Sequence, residues 1–137
     1  MRKTALLMFG IALLALGAVS HGLRAQQRDT TGTLSQQLAR GEDVYFSSCV
    51  ECHNADLSGG TSHSAPPLAG DAFIARWAGH SAYDLLERTR STMPQDQPQS
   101  LADQAYLDVV AFLLSRNKVS LGEGAFDEPA ARRISMK

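Results

Sequence analysis

Cysteine is scarce in this chain: two among 137 residues, Cys49 and Cys52, three positions apart. No other thiol exists to build a disulfide framework, so the fold is not one stapled by bridges between distant segments. Positive charge is not in excess either, with 13 Lys+Arg against 14 Asp+Glu, and the clustered basic face that nucleic acid would require is missing. Runs of β-branched residues are lacking throughout, which leaves no convincing strand. There is no internal repeat, and no constellation of general acid, base and nucleophile. A length of 137 residues admits one small domain and not two.

What is present is concentrated in five consecutive residues, Cys49-Val50-Glu51-Cys52-His53. Two thiols separated by two residues, with a histidine directly after, form the attachment pattern of a c-type haem. The two cysteines can add across the two vinyl groups of a haem, whose separation one helical turn matches. The histidine then lies under the iron and offers its imidazole as the proximal ligand. A thioredoxin-like dithiol would need a strand-helix-strand setting, which the residues flanking Cys49 do not supply. A structural zinc would need four closed ligands, and His53 with a lone His63 or His80 has no second paired cluster to complete them.

The N-terminus has the layout of an export signal. Arg2 and Lys3 precede an uncharged run from Ala5 to Val19, and small residues follow. Residues 1–25 are read as a signal peptide, with cleavage after Ala25 or after Ser20. The alternative is an uncleaved anchor, because the uncharged stretch between Lys3 and Arg24 is close to the ~20 residues that span a bilayer. Either way the remainder is exported and periplasmic, which agrees with a haem attached outside the cytoplasm. Removing residues 1–25 takes away Arg2, Lys3 and Arg24, leaving ten basic against fourteen acidic residues and a charge of −4. Residues 26–32 are short and polar, a linker.

The rest reads as all-α: three main helices plus a short helical turn, joined by long loops. Thr33 with Gln36 makes a capping box that opens the first helix. Leu34, Leu38, Gly41, Tyr45 and Ser48 mark one of its faces. Gly41 costs about 1 kcal/mol relative to alanine there, which a close helix crossing would explain. Residues 55–70 are an irregular loop, and Asp71 to Trp77 a short helical turn. Ser81-x-x-Asp84 introduces a helix to about Arg90, which Pro94 prevents from continuing through Met93. Ser100-x-x-Asp103 opens the last helix, to about Arg116. Gln104, Asp108 and Ser115 are expected on its exposed edge, with Ala105, Val109, Phe112 and Leu113 on the buried side. The domain is placed at residues 33–119, and residues 120–137, which lack periodicity, as a C-terminal tail. So short a chain has a thin core, and a buried macrocycle would supply its apolar centre.

The second axial position of the iron separates an electron carrier from a reactive haem. Met1 and Met8 leave with the signal peptide and Met136 lies in the tail, so Met93 is the expected ligand. It sits at a helix end, held by a proline that stiffens the segment carrying the sulfur. Thioether ligation opposite histidine raises the reduction potential. His63 and His80 are the rival ligands.

Taken together, Gly41-x-x-x-Tyr45, Cys49-x-x-Cys52-His53, Ala65-Pro66-Pro67-Leu68-x-Gly70, Thr92-Met93-Pro94 and Tyr106-x-Asp108-Val109-Val110-Ala111-Phe112 resemble the class I cytochrome c family. Within it, Asp56-Leu57-x-Gly59-Gly60, Trp77 and Pro98-x-Ser100-Leu101 resemble cytochrome domains that accompany quinoprotein dehydrogenases. Two positions depart from the pattern: Asn54 and Gln99 stand where glycine is common. The resemblance implies a cytochrome c fold around one covalent haem c, with the Pro66 carbonyl (or that of Pro67) bonded to the outer nitrogen of His53. It implies that Gly41 and Phe112 meet where helices cross, and that Trp77 lies near a haem propionate. Arg76, Arg88 and Arg90 are further candidates for the propionates, with surface solvation the simpler expectation for each. It also implies single-electron transfer between redox proteins, with a quinoprotein dehydrogenase as donor and an oxidase or another cytochrome as acceptor. A haem enzyme or gas-binding protein with an open sixth site is the competing function.

Overall fold

The computed structural model describes residues 32–60 and 64–137. The proposed signal peptide, nearly all of the linker and His63 lie outside the described residues. Six helices occur among them: α1 (Leu34–Ser48), α2 (Val50–His53), α3 (Asp71–Trp77), α4 (Ala82–Thr92), α5 (Asp103–Arg116) and α6 (Glu128–Arg133). The described residues form no strand, only one isolated antiparallel bridge between Ser81 and Ser135. The chain is therefore all-α. No helix among the described residues is long and apolar enough to cross a membrane.

Local chemistry sets the helix ends. Thr33 accepts from the Gln36 N–H while the Gln36 side chain accepts from the Thr33 N–H, closing the capping box at α1. Ser81 and Asp84 repeat the device at α4. Such caps each contribute about 1 kcal/mol. Pro94 ends α4: Met93, its C-cap, takes the extended conformation (φ −126°, ψ 149°) that a residue before proline prefers. The helix runs two residues beyond Arg90 before it stops.

The α1–α5 crossing is the centre of the molecule. Gly41 is buried there, and a Cβ in its place would lie 2.0 Å from the Asp108 carbonyl oxygen and 2.9 Å from the Phe112 Cβ. The glycine that weakens α1 locally is what lets the two backbones touch. The Tyr45 and Phe112 rings pack beside the contact, with centroids 5.7 Å apart. Tyr45, Tyr106, Phe73, Leu85, Leu86 and the run from Val109 to Leu114 form the buried core, each large side chain stabilising the fold by roughly 1.5–3 kcal/mol.

Three expectations need correction. Asp108 is not on an exposed edge; it is 2% exposed. Arg40 of α1 reaches it with two bonds, Nε to Oδ2 at 2.7 Å and Nη2 to Oδ1 at 3.1 Å, and Gln104 adds a third at 2.7 Å. A carboxylate can stay in such a crossing when its oxygens are this well satisfied. Ser100 does not cap the last long helix: α5 starts at Asp103, its N-cap Ala102 has no side-chain bond, and the Ser100 N–H closes a turn onto Gln97.

The third concerns residues 120–137, which are no loose tail. Phe126, Ala130, Ala131 and Met136 belong to the core. Asp127 caps α6 by accepting from the Ala130 N–H. Buried Gln37 pairs with the backbone of Phe126 in both directions, Nε2 to O at 2.8 Å and N to Oε1 at 2.7 Å. The last residues bond to the segment between α3 and α4 and to the first residue of α4: Gly79 to Met136, Met136 to His80, and Ala82 to Ile134. Arg90 contributes to the same closure. Rather than standing free, it pairs with Glu87, Asp103 and Glu128 and so links α4, α5 and α6.

Candidate functional site

The five-residue motif forms one continuous turn at the end of α1. Cys49 is both the C-cap of α1, its N–H bonded to the Tyr45 carbonyl at 2.9 Å, and the start of α2. The N–H groups of Cys52 and His53 return to the Cys49 carbonyl. Residues three apart on a helical turn share a face, so the two thiols, both free and half-buried, stand side by side. Exposed Glu51 lies between them in sequence.

His53 is buried, 6% exposed. Its Nδ1 is 2.9 Å from the Pro66 carbonyl oxygen. A carbonyl can only accept, so Nδ1 carries the proton and Nε2 is left with a lone pair. That tautomer is the one an imidazole needs to bind a metal through Nε2, with the Nδ1 bond fixing the ring plane and raising its basicity. Burial holds the His53 pKa below the ordinary 6.5, opposed by the Pro66 bond.

The loop after the motif is folded tightly back on it. Asn54 takes φ 60°, accepts from the Tyr45 hydroxyl at 2.5 Å through its carbonyl, and donates from its side chain to Gly59 O at 2.6 Å. Gly59 N–H bonds to the His53 carbonyl. Gly59 must be glycine: its φ is 80°, and a Cβ would lie 2.5 Å from Ala65 O. Buried Leu57 and half-buried Leu68 are joined by a backbone bond of 2.8 Å. This folding-back is what delivers the Pro66 carbonyl to His53.

The thiol chemistry argues against a redox dithiol. Burial, then the neighbouring Cys52, pushes the Cys49 thiol up to about 11, whereas a catalytic Cys-x-x-Cys thiol is lowered. Nor do His, Cys, Asp and Glu side chains gather into a metal cage of three or more among the described residues, as a zinc site would require. Two thiols and one oriented imidazole on a single turn, in a fold that leaves Val50, Leu68, Ile74 and Leu101 only partly buried against its core, suit a covalently held, largely apolar macrocycle whose metal takes nitrogen.

Met93 is half-buried at the end of α4, and the buried Tyr106 hydroxyl donates to its carbonyl at 2.9 Å. Trp77, at the end of α3, is half-buried and meets the His80 ring edge-on, with centroids 5.8 Å apart. Trp77 and His80 line an open cleft of about 440 Å³ together with Arg76, Asp84 and Arg88, and Met93 is not part of its lining. His53 and Pro66 are joined directly; Met93 and Trp77 make no hydrogen bond to the motif among the described residues. The sequence reading did not assign Tyr106 a role at the site. Its signal is a hydroxyl on the buried face of α5, which is apolar apart from Tyr106 and Asp108.

Comparison with known proteins agrees with this geometry. Residues 36–113 match the family model described as cytochrome c oxidase, cbb3-type, subunit III. The chain is also similar to cytochrome c-551 of Bacillus subtilis (strain 168), at 29% identity over 118 residues, covering 85% of this chain and 97% of that protein. No solved structure matches it. The cofactor of such proteins is covalently bound haem c, and their work is electron transfer. The chain belongs to the cytochrome c family, and is a monohaem c-type cytochrome.

Proposed function

We propose that Cys49 and Cys52 hold the haem through thioether bonds, that His53 Nε2 and the Met93 sulfur fill the two axial positions, and that the protein passes single electrons between redox partners on the exported side of the membrane. The observation that carries this reading is the His53–Pro66 bond, which orients an unprotonated Nε2 beside two free thiols. The haem supplies the reversible one-electron step; the chain holds it, keeps water from the iron and tunes its potential. With both axial positions taken, no substrate can reach the iron. Residues 1–25 act as the export signal or as an anchor.

The partners follow as part of the same proposal. The name of the matching family model points toward a terminal oxidase on the acceptor side, and the resemblance of residues 56–60, Trp77 and 98–101 toward a quinoprotein dehydrogenase as donor. Docking would be transient, through a small interface.

The test is made on protein exported from a host competent in haem attachment. Wild type should be coloured and heavier than its polypeptide by one haem, while Cys49→Ser and Cys52→Ser should leave little folded holoprotein. Met93→Ala should lower the reduction potential and let carbon monoxide bind the reduced protein at neutral pH, which wild type should resist. Rapid carbon monoxide binding by wild type would favour the competing haem enzyme or gas-binding protein.

A further inference from the structure

Tyr106 is 1% exposed, a costly place for a phenol unless its hydroxyl is bonded. It is engaged twice, donating to the Met93 carbonyl at 2.9 Å and accepting from the Leu101 N–H at 3.4 Å. One oxygen on α5 therefore ties both ends of the connection from Met93 to Leu101, which has no helix of its own. α5 is in turn locked against α1 at Gly41, and α1 runs directly into Cys49. The path from His53 to Met93 thus passes through packed helices and not through the long loops. A matching bond lies on the other side: Tyr45, also buried, donates to the carbonyl of Asn54, the residue after His53.

We propose that Tyr106 is a positioning residue for the axial methionine: its hydroxyl holds the Met93 main chain to α5, so that the sulfur stays on the iron and external ligands are kept out. Phenylalanine would fill the same space, and only the hydroxyl distinguishes tyrosine here. Tyr106 acts through Met93 and touches no reacting atom. The inference rests on the Met93 ligation proposed above.

The experiment titrates imidazole into ferric holoprotein and follows the methionine-to-iron charge-transfer absorption. Tyr106→Phe should bind imidazole about three- to tenfold more tightly than wild type, the equivalent of one buried hydrogen bond, with a weakened absorption band. Gln37→Met, which deletes the bonds to Phe126, should lower thermal stability and leave imidazole affinity unchanged. Met93→Ala sets the limit, with no band and the tightest binding. If Met93→Ala behaves so while Tyr106→Phe stays within twofold of wild type, or moves no more than Gln37→Met, the positioning role is overturned and the ligation stands. If Met93→Ala matches wild type, the ligation itself fails and this inference with it. In the wild-type holoprotein the Leu101 amide should exchange slowly with solvent; exchange at the rate of an open chain would overturn the bridge whatever the variants yield.

Discussion

Gly41 and Asp108 meet backbone to backbone, so closely that a Cβ on the first would fall 2.0 Å from the carbonyl oxygen of the second. Neither partner is a flexible side-chain tip, so the crossing cannot yield without moving a helix. Gly41→Ala should therefore destabilise the holoprotein by about 2 kcal/mol, the overpacking cost exceeding the better helix propensity of alanine. The midpoint of denaturant unfolding measures it. A midpoint at or above that of wild type would show that α1 and α5 are not held this tightly.

Gln37 supplies a donor and an acceptor to the Phe126 backbone from a fully buried position. Gln37→Met keeps the volume and leaves one N–H and one C=O without partners. The expected loss is about 2 kcal/mol, together with faster proteolytic cleavage within residues 120–137. Unchanged cleavage would mean that this segment is held by its apolar residues alone.

Asn54 and Gln99, the two positions that lack the common glycine, both have positive φ, 60° and 64°. They differ in compensation. The Asn54 side chain bonds to Ser58 and Gly59, while exposed Gln99 makes no comparable side-chain bond among the described residues. Gln99→Gly should thus stabilise by about 1 kcal/mol, raising the thermal midpoint by several degrees. Asn54→Gly should gain nothing. Equal effects at the two sites would contradict the compensation.

Asp84 caps α4, and its bonds from Ser81 hold its pKa below the ordinary 3.8, with His80 and Arg132 adding smaller contributions. A carboxyl lowered in the folded state contributes stability above its unfolded pKa and loses it as pH falls through the folded value. Asp84→Asn should accordingly unfold at a lower temperature than wild type above about pH 4. The two curves should converge in stronger acid. A difference constant across the acid range would exclude the charge as its source.

Much of this molecule can be read locally. The capping boxes at Thr33 and Ser81, the stop at Pro94 and the glycine at the crossing involve residues within a turn of one another, or a single residue whose oddity shows in place. The Cys49-x-x-Cys52-His53 turn is of the same kind: its chemistry lies in spacing, and spacing survives any fold.

The features that could not be read this way join segments far apart along the chain. Asp108 reads as a surface carboxylate because carboxylates usually are; it is buried because Arg40, 68 positions away, faces it. Residues 120–137 read as a tail because a helix of six residues shows no period; they dock on the body because Phe126, Ala130, Ala131 and Met136 bury in the core and Gln37, 89 positions from Phe126, serves as its backbone's partner. That Tyr106 holds the Met93 carbonyl, and that Pro66 and not Pro67 faces His53, are likewise settled by where the loops return. Composition and spacing carry local preferences, while a hydrogen bond across the fold depends on a distance that exists only once the helices have packed.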